Sequence, residues 1–141
     1  KDTADFFWVT DHGTRGRIDM VVYSFPYVSG RTFTLDYLVA MRDSVLGEHI
    51  QGAFPGSYMT TEKRFTPSYE AISKNGEYCG VVRGLWEMEG DMMGGPFVSH
   101  AHLDEKNQRV VVTETFVYAP NTKKAKLLRR GEASLYTFCM D

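Results

Sequence analysis

Between Arg17 and Tyr27 the apolar residues occupy both alternating sets of positions. Ile18, Met20 and Val22 fall on one set, and Val21, Tyr23 and Phe25 on the other. A strand that is apolar on both faces is covered on both, so this segment is predicted to run inside a sheet and to end at Pro26. A shorter apolar run, Phe6 to Thr10, precedes it, and Asp11 to Thr14 reads as the turn between them. The spacing then changes. Leu35, Leu38, Val39, Val45, Leu46 and Ile50 recur at helical intervals. Thr34 is placed to cap that helix, Asp36 sits in its first turn, and Gly52 and Pro55 stop it.

Strand-like patterning returns from Ser57 to Phe65. Tyr69–Ser73 and Glu77–Met88 flank Lys74-Asn75-Gly76, a tight-turn sequence that predicts a hairpin. Phe97–Leu103 and Arg109–Tyr118 flank a longer polar turn, Asp104 to Gln108, and predict a second hairpin. Pro120 and its neighbours break the pattern. Lys123 to Cys139 reads as a closing helix with Leu128, Leu135, Phe138 and Cys139 near one face, weakened by Gly131 in its interior. Strands joined by short turns form antiparallel sheets. The expected fold is therefore α+β: an antiparallel sheet of about five to seven strands with two helices packed on one face.

Composition narrows the range of functions. The 141 residues suit one domain, with 43% hydrophobic and 24% charged residues. This is ordinary globular usage. A net charge of −2 gives no global attraction for nucleic acid, which is not expected as a partner. No apolar run is long enough to cross a bilayer as a helix. Cys79 and Cys139 could be bridged or could be separate buried thiols; the sequence leaves both open.

The candidate chemistry lies in charges that interrupt apolar stripes. Arg42 falls on the helix face made by Leu38, Val39, Val45 and Leu46. Arg83 alternates with Val81 and Leu85, and Glu114 with Val112 and Phe116. A buried charge is costly unless paired. Arg83 and Glu114 are thus expected to be buried together on one side of the sheet, as a pair that fixes strand register. The competing reading is a pocket whose arginine binds a carboxylate or phosphate. Trp86 and Asp91 complete that ligand-binding set, beside a glycine-rich stretch, Gly90 to Pro96, whose amides could cradle an anion. Met88, Met92 and Met93 either form an adaptable contact surface or tuck under the sheet.

His100, His102 and Asp104 share one face of a strand by their spacing of two. They could hold a divalent metal, yet no further histidine completes the set, so no cofactor is expected. Lys123, Lys124, Lys126, Arg129 and Arg130 crowd the start of the last helix and read as a solvated face. No glycine-flanked nucleophile and no phosphate-loop motif occurs.

Several segments together resemble an uncharacterised lipoprotein family of Bacteroidetes-type bacteria, known only as a domain of unknown function. They are Tyr23-Ser24-Phe25-Pro26-Tyr27, Met41-Arg42-Asp43-Ser44, Gly56 to Glu62, Arg83 to Phe97 and Glu114 to Pro120. The resemblance implies export and attachment to the cell envelope through an upstream lipid, with this chain as the C-terminal part of a longer protein. It implies no activity and no catalytic residues. Two classes of function follow: a non-catalytic envelope domain that binds a partner protein or surface ligand, or a hydrolase with a His/carboxylate cleft built from His100, His102, Asp104 or Glu114.

Overall fold

A computed structural model describes residues 6–12, 16–74, 76–119 and 124–136. The chain runs β1 (Phe6–His12), β2 (Arg17–Pro26), α1 (Leu35–His49), β3 (Tyr58–Thr61), β4 (Ser68–Lys74), β5 (Glu77–Glu89), β6 (Gly94–Asp104), β7 (Arg109–Tyr118) and α2 (Lys124–Leu135). All seven strands join one antiparallel sheet in the order β1-β2-β7-β6-β5-β3, with β4 also pairing β5. The doubly apolar β2 lies between β1 and β7, as its pattern requires.

Local sequence sets the element ends. Thr34 caps α1 through its side chain, which accepts from the Tyr37 amide at 3.2 Å. The β4–β5 hairpin closes at Gly76, whose φ of 80° suits glycine. The segment read as a strand from Ser57 to Phe65 is shorter: only Tyr58–Thr61 pairs with β5.

The helices do not share a face. Residue alternation shows this directly. Val21, Tyr23 and Phe25 of β2, Phe97 and Ala101 of β6, and Val112 and Phe116 of β7 pack with Leu38 and Leu46 of α1. The intervening residues, Ile18 and Val117 on one side and Cys79, Val81 and Val98 on the other, pack with Leu127 and Leu135 of α2. Periodicity shows that each helix has an apolar side, but not which side of the sheet its connection carries it to.

The sheet curls around α1. Phe6 of β1, at one edge, stacks on His49 with ring centroids 4.2 Å apart. Thr61 of β3, towards the other edge, bonds Asp43 of the same helix through both its amide and its hydroxyl, at 2.9 and 2.6 Å. On the opposite side α2 lies close over β7. A Cβ at Gly131 would overlap the Thr115 hydroxyl and approach its Cβ to 3.0 Å. The glycine that weakens this helix in isolation is what lets it seat.

Candidate functional site

On the α1 side, Arg42 reaches from the helix into the concave face. Its Nε lies 2.9 and 3.1 Å from the two Glu114 oxygens, and its Nη2 donates to Oε2 at 2.9 Å. Ser99 also donates to Glu114 Oε1. The remaining guanidinium donors meet Thr61 Oγ1 at 3.0 Å and, more weakly, Asp43 Oδ1 at 3.4 Å and Met59 Sδ at 3.6 Å. The Phe97 ring lies 3.9 Å from the guanidinium carbon. Both charged residues are buried. Burial alone would lower the Arg42 pKa, but the Glu114 charge and hydrogen bonds outweigh it and raise it. Tyr23, beside the pair, has its phenol pKa raised well above the usual value, first by burial and then by the Glu114 charge.

This pair is not an anion pocket. The space among Tyr23, Leu38, Arg42, Val82, Ser99, Ala101 and Val112 is about 10 Å³, close to the minimum for one water. Glu114 already occupies the position that an incoming carboxylate would take.

Arg83 belongs elsewhere. It lies on the α2 side and pairs with Glu132, at 3.1 and 2.5 Å, with its own side chain 41% exposed. The expected burial of Arg83 with Glu114 on one side is therefore wrong: the sheet stands between them, and each has another partner. Glu132 was not visible as that partner because it lies in a charged stretch that reads as a solvated helix face.

Trp86 is buried on the α1 side and donates to the Val117 carbonyl at 3.1 Å. Asp91 sits at the β5–β6 turn, where it accepts from the Met92 amide at 2.7 Å. Met88 tucks into the core, while Met92 is 95% exposed. The candidate ligand set of Arg42, Arg83, Glu114, Trp86 and Asp91 is thus distributed over two faces and a turn.

The α2 side holds a second polar cluster. Lys74 Nζ lies 3.2 Å from His100 Nδ1, 3.0 Å from His102 Nε2 and 2.5 Å from the Leu135 carbonyl. An ammonium only donates, so both ring nitrogens facing it accept. His102 then carries its proton on Nδ1, which donates to the Val111 carbonyl at 3.1 Å. His100 Nε2 is buried and has no hydrogen-bond partner among the described residues. Burial, followed by the Lys74 charge, depresses the pKa of His100 to about 3 and of His102 to about 4. Both imidazoles are neutral at ordinary pH.

Asp104 does not join them; its carboxylate accepts from Asn107 within the β6–β7 turn. Cys79 does. It lies opposite His102 in the β5–β6 ladder. Its sulfur and one nitrogen from each histidine fall within 4.8 Å of one another. Burial raises the Cys79 thiol pKa to about 11. A lone cysteine in a strand carries no spacing signal, so the sequence marks Cys79 only as a possible buried thiol and does not single out Lys74. The possible Cys79–Cys139 bridge lies outside the described residues, as do Phe138 and Lys123.

Open concavities also occur among the described residues. One of about 190 Å³ lies under α2 between Met20, Arg130 and Ser134. The larger, about 360 Å³, is floored by Phe6, Phe25, Pro26, Met41 and Val45, with Ser24, Ser44, Glu48, His49 and Arg109 completing its lining. Arg109 bonds Ser24 Oγ there at 3.1 Å.

These observations define an α+β domain with one helix on each face of a curled antiparallel sheet and a closed polar cluster beneath each helix. The family described as a domain of unknown function, DUF4837, matches residues 1–137, and the chain belongs to it. No curated protein matches the chain significantly.

Proposed function

We propose that this is a non-catalytic cell-envelope domain that binds an extended segment of a partner protein along β1 and in the α1 groove. The groove carries the reading. Its volume of about 360 Å³ falls within the range of ligand clefts, and apolar side chains make its floor. Phe6 lines the groove, and Trp8, two residues on along the same face of β1, is 40% exposed. β1 is the last strand at its end of the sheet among the described residues. An added strand on that edge would supply main-chain hydrogen bonds and direct an apolar side chain into the groove. The lipoprotein resemblance supports an envelope location.

The hydrolase alternative calls for a cleft built from His100, His102, Asp104 or Glu114. The histidines and Glu114 lie on opposite faces of the sheet, each in a closed environment, and Asp104 is engaged with Asn107 in the β6–β7 turn. That geometry favours the binding reading.

The test is photocrosslinking in cells. A photoreactive residue at Ser44, on the groove, should give a discrete adduct, and one at Glu105 in the β6–β7 turn should not. Val45→Trp, which fills the groove, should remove the Ser44 adduct without lowering the melting temperature. Absence of any adduct at Ser44, or equal adducts at both positions, refutes the proposal.

A further inference from the structure

We propose that Cys79, His100 and His102 form a zinc-binding site, which an ion enters by displacing the Lys74 ammonium. This goes beyond the groove and does not depend on it.

The ligand set comes from two adjacent strands. Cys79 and His102 are direct cross-strand neighbours, and His100 lies two residues before His102 on the same face. All three are buried. A thiolate and two imidazoles suit zinc, which takes nitrogen and sulfur ligands at about 2.0–2.3 Å in tetrahedral array. Such ligands lie roughly 3.5 Å apart, so atoms now within 4.8 Å of one another need contract by only about an ångström.

His102 is already oriented. Its Nδ1–H donates to the Val111 carbonyl, which leaves the Nε2 lone pair facing the cluster. A ligating histidine ordinarily gives its other ring proton to just such a carbonyl. His100 presents its Nδ1 lone pair to the same ammonium at 3.2 Å, so both imidazoles already direct an acceptor nitrogen at one buried point.

Lys74 shows that the cluster receives cations. Its ammonium is met by two imidazole lone pairs and a carbonyl oxygen. Lys74 is the last residue of β4, beside the hairpin turn. Its flexible stem can swing to solvent from there. Zinc would bind Cys79 as the thiolate and both histidines as neutral bases. The thiol proton passes to water, and the ammonium leaves the imidazoles as the ion enters. The Leu135 carbonyl and the edge of the Tyr136 ring, 4.9 Å from His100, form the cover, so entry passes by the last turn of α2.

The test uses the whole chain, freed of metal by chelator, titrated with zinc and with cobalt as a spectroscopic substitute. One equivalent should bind, and the cobalt form should show a thiolate-to-metal charge-transfer band. Cys79→Ser should abolish that band, and His102→Ala should weaken zinc binding by at least about tenfold. Lys74→Met should tighten it, because no ammonium need be displaced. Circular dichroism on each variant separates lost binding from lost fold, with Cys79→Ala as a second thiol-free chain. The proposal is overturned if neither the native chain nor a folded Lys74→Met variant binds zinc stoichiometrically. It is also overturned if the band survives Cys79→Ser and disappears with Cys139→Ser.

Discussion

Arg42 and Glu114 stand 72 residues apart in the chain and meet as a fully buried ion pair that ties α1 to the centre of the sheet. The guanidinium engages both carboxylate oxygens, and Ser99 and Thr61 satisfy further atoms. Such a pair contributes little over a well-packed apolar pair, but breaking it strands a charge.

Arg42→Met alone should therefore destabilise the domain by about 3–5 kcal/mol. Arg42→Met with Glu114→Gln should recover part of that loss, because the uncompensated carboxylate is gone. Urea denaturation in a double-mutant cycle measures the coupling. Additive losses would show that the two residues do not act together.

Arg83→Met should be mild by comparison. The pair with Glu132 is half open to water, and exposed pairs contribute about 0–1 kcal/mol. The same denaturation experiment should place it within that range, and should give no coupling between Arg83 and Glu114.

Gly131→Ala tests the seat of α2. On an exposed helix the change would gain up to about 1 kcal/mol. Here the new methyl meets Thr115, whose hydroxyl donates to the Asp19 carbonyl at 3.1 Å. Overpacking should instead cost about 1–3 kcal/mol. A lowered melting temperature checks the sign, and Thr115→Ala, which removes the overlapping hydroxyl, should relieve part of the clash.

The Tyr23 phenol gives an alkaline signature. Its folded-state pKa lies well above the ordinary value because burial and the Glu114 charge oppose ionisation. Above about pH 10 the unfolded chain loses a proton that the folded chain keeps. This contribution to stability is complete below pH 10 and declines as pH rises beyond it. Tyr23→Phe should flatten that decline, measured as denaturation midpoints between pH 8 and about 11. An unchanged slope would show that burial and the Glu114 charge do not oppose ionisation of Tyr23.

Much of the strand order in the second half of the chain was legible, because tight turns force neighbouring segments to pair. Thr34 announced α1, and the charge on an apolar stripe marked Glu114 as buried; Arg42, which interrupts a stripe in the same way, is buried too, whereas Arg83 is not. What alternation could not give was the side. Val81-Val82-Arg83 and Val112-Thr113-Glu114 each show a charge on one of two faces, and nothing local says whether those faces coincide. Glu114 pairs with Arg42 of α1, and Arg83 with Glu132 of α2. The surroundings of the histidines are hidden for a similar reason. His100, His102 and Asp104 are periodic, but Asp104 turns into its own loop, while Cys79 arrives from the neighbouring strand through the ladder.

The place of β7 has a consequence for biosynthesis. Among the described residues it is the last strand in chain order, yet it lies between β2 and β6 and feeds both cores. A nascent chain that ends before Arg109 holds β1–β2 and β3–β6 as separate fragments, each with an unmatched hydrophobic edge. Neither helix can close its layer until the keystone strand emerges. Folding is thus deferred until Arg109–Tyr118 has emerged, and during that interval the two bare edges are the surfaces a chaperone must cover.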